Sequence, residues 1–300
     1  MNLDSIIVKY NIINVEPLTK GWSSDKKYIL TDKDGFKYIL RVSKIDLYDK
    51  RYNQYHLLKS LESLNLYYPK AIDFGYLDEE YIYLLLSYLE GEPAEDLINK
   101  YNESTQYKMG YHAGQMLKNI HSFKPDINCP TWWEKYQPKA LRKIEAYLNS
   151  PIKHDKTEFL INYYKENIYL MKDRPQVLTH GDYHLGNMLI HENAIVVIDF
   201  DKMNMADPYD EFKPYNWNVV KSEYFETGLI NGYFEDNIPN DFFKILKFYT
   251  IEGIISHLPW ALTFGEEEVK TALNMYQEAL IWYDDFKLEI PTWYKGVIKW

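Results

Sequence analysis

The hydrophobic period of this chain changes once along its length, and that change restricts the fold more than any single motif does. Up to residue 88 the apolar residues come in short runs divided by turn signals: Tyr28-Ile29-Leu30, Phe36 to Val42, Pro69 to Gly75 and Tyr81 to Leu86. Asp32-Lys33-Asp34-Gly35 predicts a hairpin, because an Asp-Gly pair tolerates the positive φ that tight turns require. A short helical pattern in Leu3, Ile6, Ile7 and Tyr10 precedes these runs, and Leu47, Tyr48, Tyr52, Tyr55, Leu58 and Leu61 predict one inserted helix over 46–64 that packs by that face. Ser87 to Pro93 breaks the pattern as a hinge would. Beyond it the period is helical. Met109, Ala113, Met116, Leu117 and Ile120 share a helix face whose cap is expected at Ser104, with Gly110 and Gly114 on a neighbouring face open to close backbone approach. Further helices are predicted over 131–148, 157–171, 215–235, 240–256 and 266–286. The expected class is α+β: a small antiparallel sheet with one helix over 1–88, and a larger, mostly helical part over 89–300.

One stretch interrupts the helical part. Thr179 to Asp201 carries H-G-D-x-H-x-x-N, then the apolar run Ala194 to Ile198, then Asp199-Phe200-Asp201. Two carboxylates and an amide thereby flank or end short apolar strands, a placement suited to a hard cation and the phosphates it binds. Phosphoryl transfer from a nucleotide needs a carboxylate to orient and deprotonate the attacking hydroxyl, oxygen ligands for Mg²⁺, and cations on the phosphates. Asp182 fits the first role; Asn187 and Asp199 fit the second. His180 and His184 lie four positions apart but have no evident third ligand, which argues against zinc. His180 is expected to order the loop by hydrogen bonds.

Composition narrows the partners. The 44 acids against 34 bases give a net charge of −10, which argues against a nucleic-acid ligand and favours cationic ones. No apolar run approaches the ~18 residues of a membrane span, and no membrane partner is expected. The single cysteine, Cys129, excludes an intrachain disulfide and suits a reducing cytoplasm. Aromatic side chains make up 17% of the chain, enough to wall a site for sugars or ammonium groups.

These motifs resemble the aminoglycoside phosphotransferase and choline kinase superfamily, relatives of protein kinases, from about Thr19 to Phe212. His180 to Asn187 is similar to that family's catalytic loop and Ile198 to Asp201 to its metal-binding segment. Asp207-Pro208 with Asp210-Glu211 resembles the element that supports the catalytic loop, and Leu117 to His121 the helix before the substrate-binding insertion. The resemblance implies a protein-kinase-like two-lobe fold, ATP or GTP with Mg²⁺ as cofactors, and a small-molecule hydroxyl acceptor, commonly cationic. It implies Asp182 as catalytic base, and Ser23, Ser24 and Arg41 on the phosphates. Tyr88 and Leu89 would meet the purine through their backbone. Gln54 is expected to pair with Arg41, where the family has a glutamate, and Asp201 stands where many members have glycine. Asp201, Glu211, Trp217 and Glu252 are the acceptor-binding candidates. The acceptor read first is an aminoglycoside-type amino sugar, which would make antibiotic resistance one outcome of the activity. Choline, ethanolamine or another metabolite alcohol is the alternative. A nucleotide-binding regulator without turnover is a third reading, and a protein kinase is disfavoured because no A-P-E element follows Asp199.

Overall fold

Five antiparallel strands in the order β1-β2-β3-β5-β4 form the sheet that the short apolar runs predict. They are β1 (Ile12–Leu18), β2 (Lys26–Asp32), β3 (Lys37–Lys44), β4 (Ala71–Tyr76) and β5 (Tyr81–Ser87). The computed structural model describes residues 2–18, 25–64, 66–125 and 129–299. Two units emerge from it, Met1–Glu92 with Met188–Met203, and Pro93–Asn187 with Asn204–Trp300.

In the first unit the β2–β3 hairpin closes where Asp32 directs it. Its Oδ1 accepts the Asp34 and Phe36 N–H groups at 2.9 Å each, and Gly35 supplies the positive φ of 86°. One sheet face buries Leu30, Leu40, Val42, Tyr83 and Leu85 against Ile6 and Ile12. Each such side chain contributes roughly 1.5–3 kcal/mol on leaving water. Ile6 comes from α1 (Asp4–Lys9), the short helix predicted ahead of the strands. The inserted helix α2 (Tyr48–Ser60) buries the leucine end of the expected face but not its tyrosines. Arg51, Gln54 and Leu58 point inward, whereas Tyr48 and Tyr55 pack on Phe74 at the rim and Tyr52 stays exposed. Buried ion pairing, described below, sets this orientation against the tyrosine stripe. Later in the chain, Met188–His191 and Ala194–Val197 pair antiparallel and belong to this unit, followed by Phe200 against Tyr68.

The second unit is helical: α3 (Ala94–Leu97), α4 (Glu103–Ser122), α5 (Trp132–Asn149), α6 (Thr157–Asn167), α7 (Tyr215–Val219), α8 (Glu223–Phe234), α9 (Phe242–Ala261) and α10 (Glu266–Trp282). The α4 cap is Asn102 rather than Ser104, its side chain accepting the Thr105 N–H at 2.9 Å, so the helix starts two residues earlier. Thr131 and Glu134 close a reciprocal capping box on α5. The helix expected over 215–235 is two, because Ser222 turns extended and caps α8 through the Phe225 N–H.

Helices α4 and α8 cross on glycines. A Cβ at Gly110 or Gly114 would overlap the α8 backbone, and one at Gly228 or Gly232 would overlap the carbonyls of Tyr107 and Tyr111. Backbone cannot step aside as a flexible side-chain end can. Gly232→Ala should therefore cost about 1–3 kcal/mol or more by overpacking. That exceeds the roughly 1 kcal/mol that alanine's helix propensity returns. Urea denaturation checks the sign; a stabilised variant would contradict the close crossing. No helix among the described residues is long and apolar enough to cross a membrane.

Candidate active site

In the second unit a short strand, Val177–Thr179, pairs with Asn204–Ala206 and delivers the chain into His180-Gly181-Asp182. Gly181 takes a positive φ of 86°, which suits only glycine in so tight a turn. The loop that follows is held from several sides. The buried Glu211 carboxylate accepts the N–H groups of His180 at 2.6 Å and Gly181 at 2.8 Å, with His121 Nε2 3.3 Å away. Tyr183 donates its hydroxyl to the Ala113 carbonyl at 2.7 Å. The Leu185 N–H donates to Asn218 Oδ1 at 2.7 Å, and Asn218 Nδ2 donates in turn to Glu226. Burial pushes the Glu226 carboxyl up to about 8. Below this, Arg174 forks onto Asp207 with two 2.9 Å bonds while Tyr249 donates to the same carboxylate. His180 is buried, and its Nδ1 accepts the Asp182 N–H at 3.3 Å.

This scaffold brings Asp182 and Asn187 together. Asn187 Nδ2 donates to the Asp182 carbonyl at 2.9 Å and to Asp182 Oδ2 at 3.0 Å. Both partners can only accept, so the amide orientation is settled, and Asn187 Oδ1 faces away as a hard oxygen donor.

Asp182 lines a cleft of about 290 Å³ whose walls include Thr179, Glu211, Lys213, Trp217 and His257. Of the four acceptor candidates, the structure places Glu211 and Trp217 on this cleft and the other two elsewhere. Trp217 is 44% exposed and offers a ring face. The Glu211 carboxylate is already engaged by two backbone amides, so its position is that of a loop anchor. Glu252 is buried away from the cleft, bound by Lys143 at 2.7 Å and Lys213 at 3.1 Å. Burial opposes its ionisation, but the two lysines bring its carboxyl down to about 2. Lys213 also meets Asp210 at 2.5 Å, whose carboxyl burial pushes up. An acid in a sequence shows its charge but not the lysines waiting for it, and here two of them occupy the Glu252 carboxylate. Asp201 belongs to the first unit.

There, the cluster differs from the expected Arg41–Gln54 pair. Arg41 on β3 meets Asp25 through Nε at 2.8 Å and Asp201 through Nη1 at 3.0 Å. Gln54 Oε1 instead accepts from Arg51 Nη1 at 2.8 Å, and Gln54 Nε2 donates to the Phe200 carbonyl at 3.1 Å. Arg51 itself binds both Asp25 and Asp201, and its Nε donates to Ser43. Two buried guanidiniums are thus bridged by two carboxylates, and Gln54 orients the second arginine. Burial disfavours an ionised Asp201, yet Arg41 and Arg51 hold its carboxyl below the usual range. This explains why an acid rather than a glycine is tolerated at that position: its carboxylate is engaged by the two arginines.

Arg51 and Asp25 escaped the sequence reading. Arg51 sits three residues before Gln54, hence on the same helix face, which was the one available signal. Asp199, two residues before Asp201, holds a left-handed backbone (φ 60°, ψ 58°) and a partly exposed carboxylate. Its nearest cations, Lys27 at 3.7 Å and Arg41 at 3.8 Å, attract it without hydrogen-bonding it. A carboxylate kept partly open in a strained backbone is a recurrent feature of functional sites. The Tyr88 N–H donates to the Lys37 carbonyl at 3.2 Å, and Leu89 is buried. Ser23 and Ser24 lie outside the described residues.

Residues 14–225 match the family described as the phosphotransferase enzyme family, well over half of the chain. No curated protein matches by sequence. Among solved structures, the chain is similar to aminoglycoside 2'-phosphotransferase-IIIa in its GDP complex, with a TM-score of 0.72 at 14% identity over 92% of this chain and 95% of that one. It is similar to aminoglycoside phosphotransferase APH(4)-Ia bound to ADP and hygromycin B, with a TM-score of 0.68 at 18% identity over 92% and 97%. An amicoumacin kinase in complex with AMP-PNP, Ca²⁺ and Ami gives 0.65 at 14% identity over 97% and 96%. At such identities the likeness is one of fold, and the family match carries the classification. The chain belongs to the phosphotransferase enzyme family, and shares its α+β fold with small-molecule kinases.

Proposed function

We propose that this enzyme transfers the γ-phosphoryl group of ATP or GTP to a hydroxyl of a small, hydroxylated amine, with Mg²⁺ as the metal. The observation that carries this reading is the Asp182–Asn187 pair. One amide fixes the carboxylate that would orient and deprotonate the acceptor hydroxyl, and the same bonds aim its own oxygen outward. Asn187 Oδ1 and the partly open Asp199 carboxylate are oxygen donors of the kind a hard cation takes. They would hold the metal, which when bound neutralises charge on the phosphate oxygens. Arg41, paired with Asp25 and Asp201, would supply the positive charge on the phosphates. Tyr88 and Leu89 would meet the purine, and Trp217 would stack on the acceptor from its exposed ring face.

Solved relatives of this fold hold ADP with hygromycin B, GDP, or AMP-PNP with Ca²⁺ and Ami, which supports a nucleotide and a small acceptor here. An aminoglycoside-type amino sugar is the first reading. A compact amino alcohol such as choline or ethanolamine is favoured by one observation, the cleft volume of about 290 Å³, at the low end for small-molecule sites. The regulator reading is dropped in favour of an enzyme. The cytoplasm, where nucleotides abound, is the compartment we assign.

Nucleotide turnover should be followed with Mg²⁺ present and then chelated, against a panel of aminoglycosides, choline and ethanolamine. Stimulation by at least one hydroxylated amine, lost on chelation, is expected. Tight nucleotide binding without stimulation by any acceptor would sink the reading.

A further inference from the structure

His184 has no part in the mechanism above, yet its ring is fixed in the catalytic loop on three sides. Its Nδ1 accepts the Gly186 N–H at 3.1 Å. A backbone amide can only donate, so Nδ1 carries a lone pair and the proton of the neutral ring sits on Nε2. The seat is tight: a Cβ on Gly186 would press into Cε1 and Nδ1 of this ring. On another side lies Trp217, with ring centroids 6.3 Å apart. Nε2 stands 3.7 Å from Asp182 Oδ1 and 3.4 Å from Asn187 Nδ2. The two amide protons of Asn187 already go to the Asp182 carbonyl and Oδ2, so the nitrogen of Asn187 gives Nε2 nothing to accept or donate to. The Nε2–H dipole therefore faces the Asp182 carboxylate, just beyond hydrogen-bond length.

We infer that His184 is a positioning residue for phosphoryl transfer, its Nε2–H orienting the Asp182 carboxylate from the side opposite Asn187. Asn187 holds one oxygen of the carboxylate, and the imidazole dipole restrains the other. Between them the carboxylate is kept from rotating as an acceptor hydroxyl is drawn to it. The role rests on Asp182 acting as the base of the phosphotransfer proposed above. It bears on kcat, through the orientation of the attacking oxygen, and leaves nucleotide binding alone.

Two substitutions separate this role from simple loop stiffening. Asparagine places its Oδ1 where Nδ1 was, so His184→Asn keeps the Gly186 bond and loses the donor. Glutamine places its Nε2 near the histidine Nε2, so His184→Gln keeps a donor and loses the Gly186 bond. With Mg²⁺-ATP and water as the acceptor, His184→Asn should lower kcat by about 10- to 100-fold at unchanged KM for ATP. His184→Gln should retain most of the rate. The reverse order, an unaffected Asn variant and an impaired Gln variant, would show that His184 only ties the loop, and would overturn the inference. The tautomer provides a reading independent of turnover. Long-range ¹H–¹⁵N correlation at pH 7.5, with the His184 signals assigned by their loss in His184→Asn, should show the Nε2–H form; an Nδ1–H form would overturn it too. Absence of ATP turnover in every form, wild type included, with water and with each amine of the acceptor panel, would strike the phosphotransfer reading, while the tautomer would still decide the placement of His184.

Discussion

Replacing Asp182 with alanine is expected to lower acceptor phosphorylation by about 10²–10⁴-fold, the usual worth of a positioned general base. Nucleotide affinity, measured by calorimetry in the same variant, should be unchanged. The separation follows from what each group touches. The Asp182 side chain reaches Asn187 and the cleft, whereas Arg41, the cation assigned to the phosphates, stands on β3 of the other unit. The loop should keep its shape, because Asn187 retains the Asp182 carbonyl and Glu211 retains the two amides ahead of it. Wild-type turnover in this variant would remove Asp182 from its role. A parallel loss of nucleotide binding would show instead that the side chain holds the loop together.

Arg51→Met should produce a large loss of stability in the first unit. Arg51 is only 2% exposed and bridges Asp25 and Asp201. Methionine fills similar volume but leaves the buried Asp25 and the part-buried Asp201 sharing Arg41, with only the more exposed Lys50 also on Asp201. Removing one partner from a buried ionic cluster typically costs about 3–5 kcal/mol, since the remaining charge is stranded away from water. Urea denaturation would read the loss. A change below about 1 kcal/mol, the worth of a solvated surface pair, would mean that water reaches the cluster. Asp201 offers a cross-check: its depressed carboxyl contributes stability that is lost as pH falls through its folded value. The acid side of the wild-type stability profile should therefore flatten in Arg51→Met, where much of that depression is gone.

Local chemistry was readable ahead of the structure wherever neighbours in sequence do the work. Asp32 and Gly35 close their hairpin with bonds spanning four residues, and Asp182 and Asn187 meet across five. Strand and helix existence followed from hydrophobic period, since one buried face is enough to impose it. Where period and charge competed, period held for Leu58 and Leu61 and failed for the tyrosines. The tyrosines of α2 form the obvious stripe, yet the face turned inward carries Arg51 and Gln54. Caps were legible in kind but not in place: Asn102 and Ser104 both suit a helix start, and only the backbone path chooses between them.

Sequence alone determined the class of fold and the family, because each rests on contacts closed within one motif or on periodicity along one element. Tertiary structure alone decided where the charges go. Arg51 and Asp201 stand 150 residues apart. Lys143 and Glu252 are separated by 109 residues. An ionisable side chain is indifferent in sequence to which opposite charge it meets; burial makes the choice, since a charge withdrawn from water must find a partner where the fold places one. For the same reason Glu211 and Glu252, equal candidates as letters, became a loop anchor and the centre of a lysine clasp.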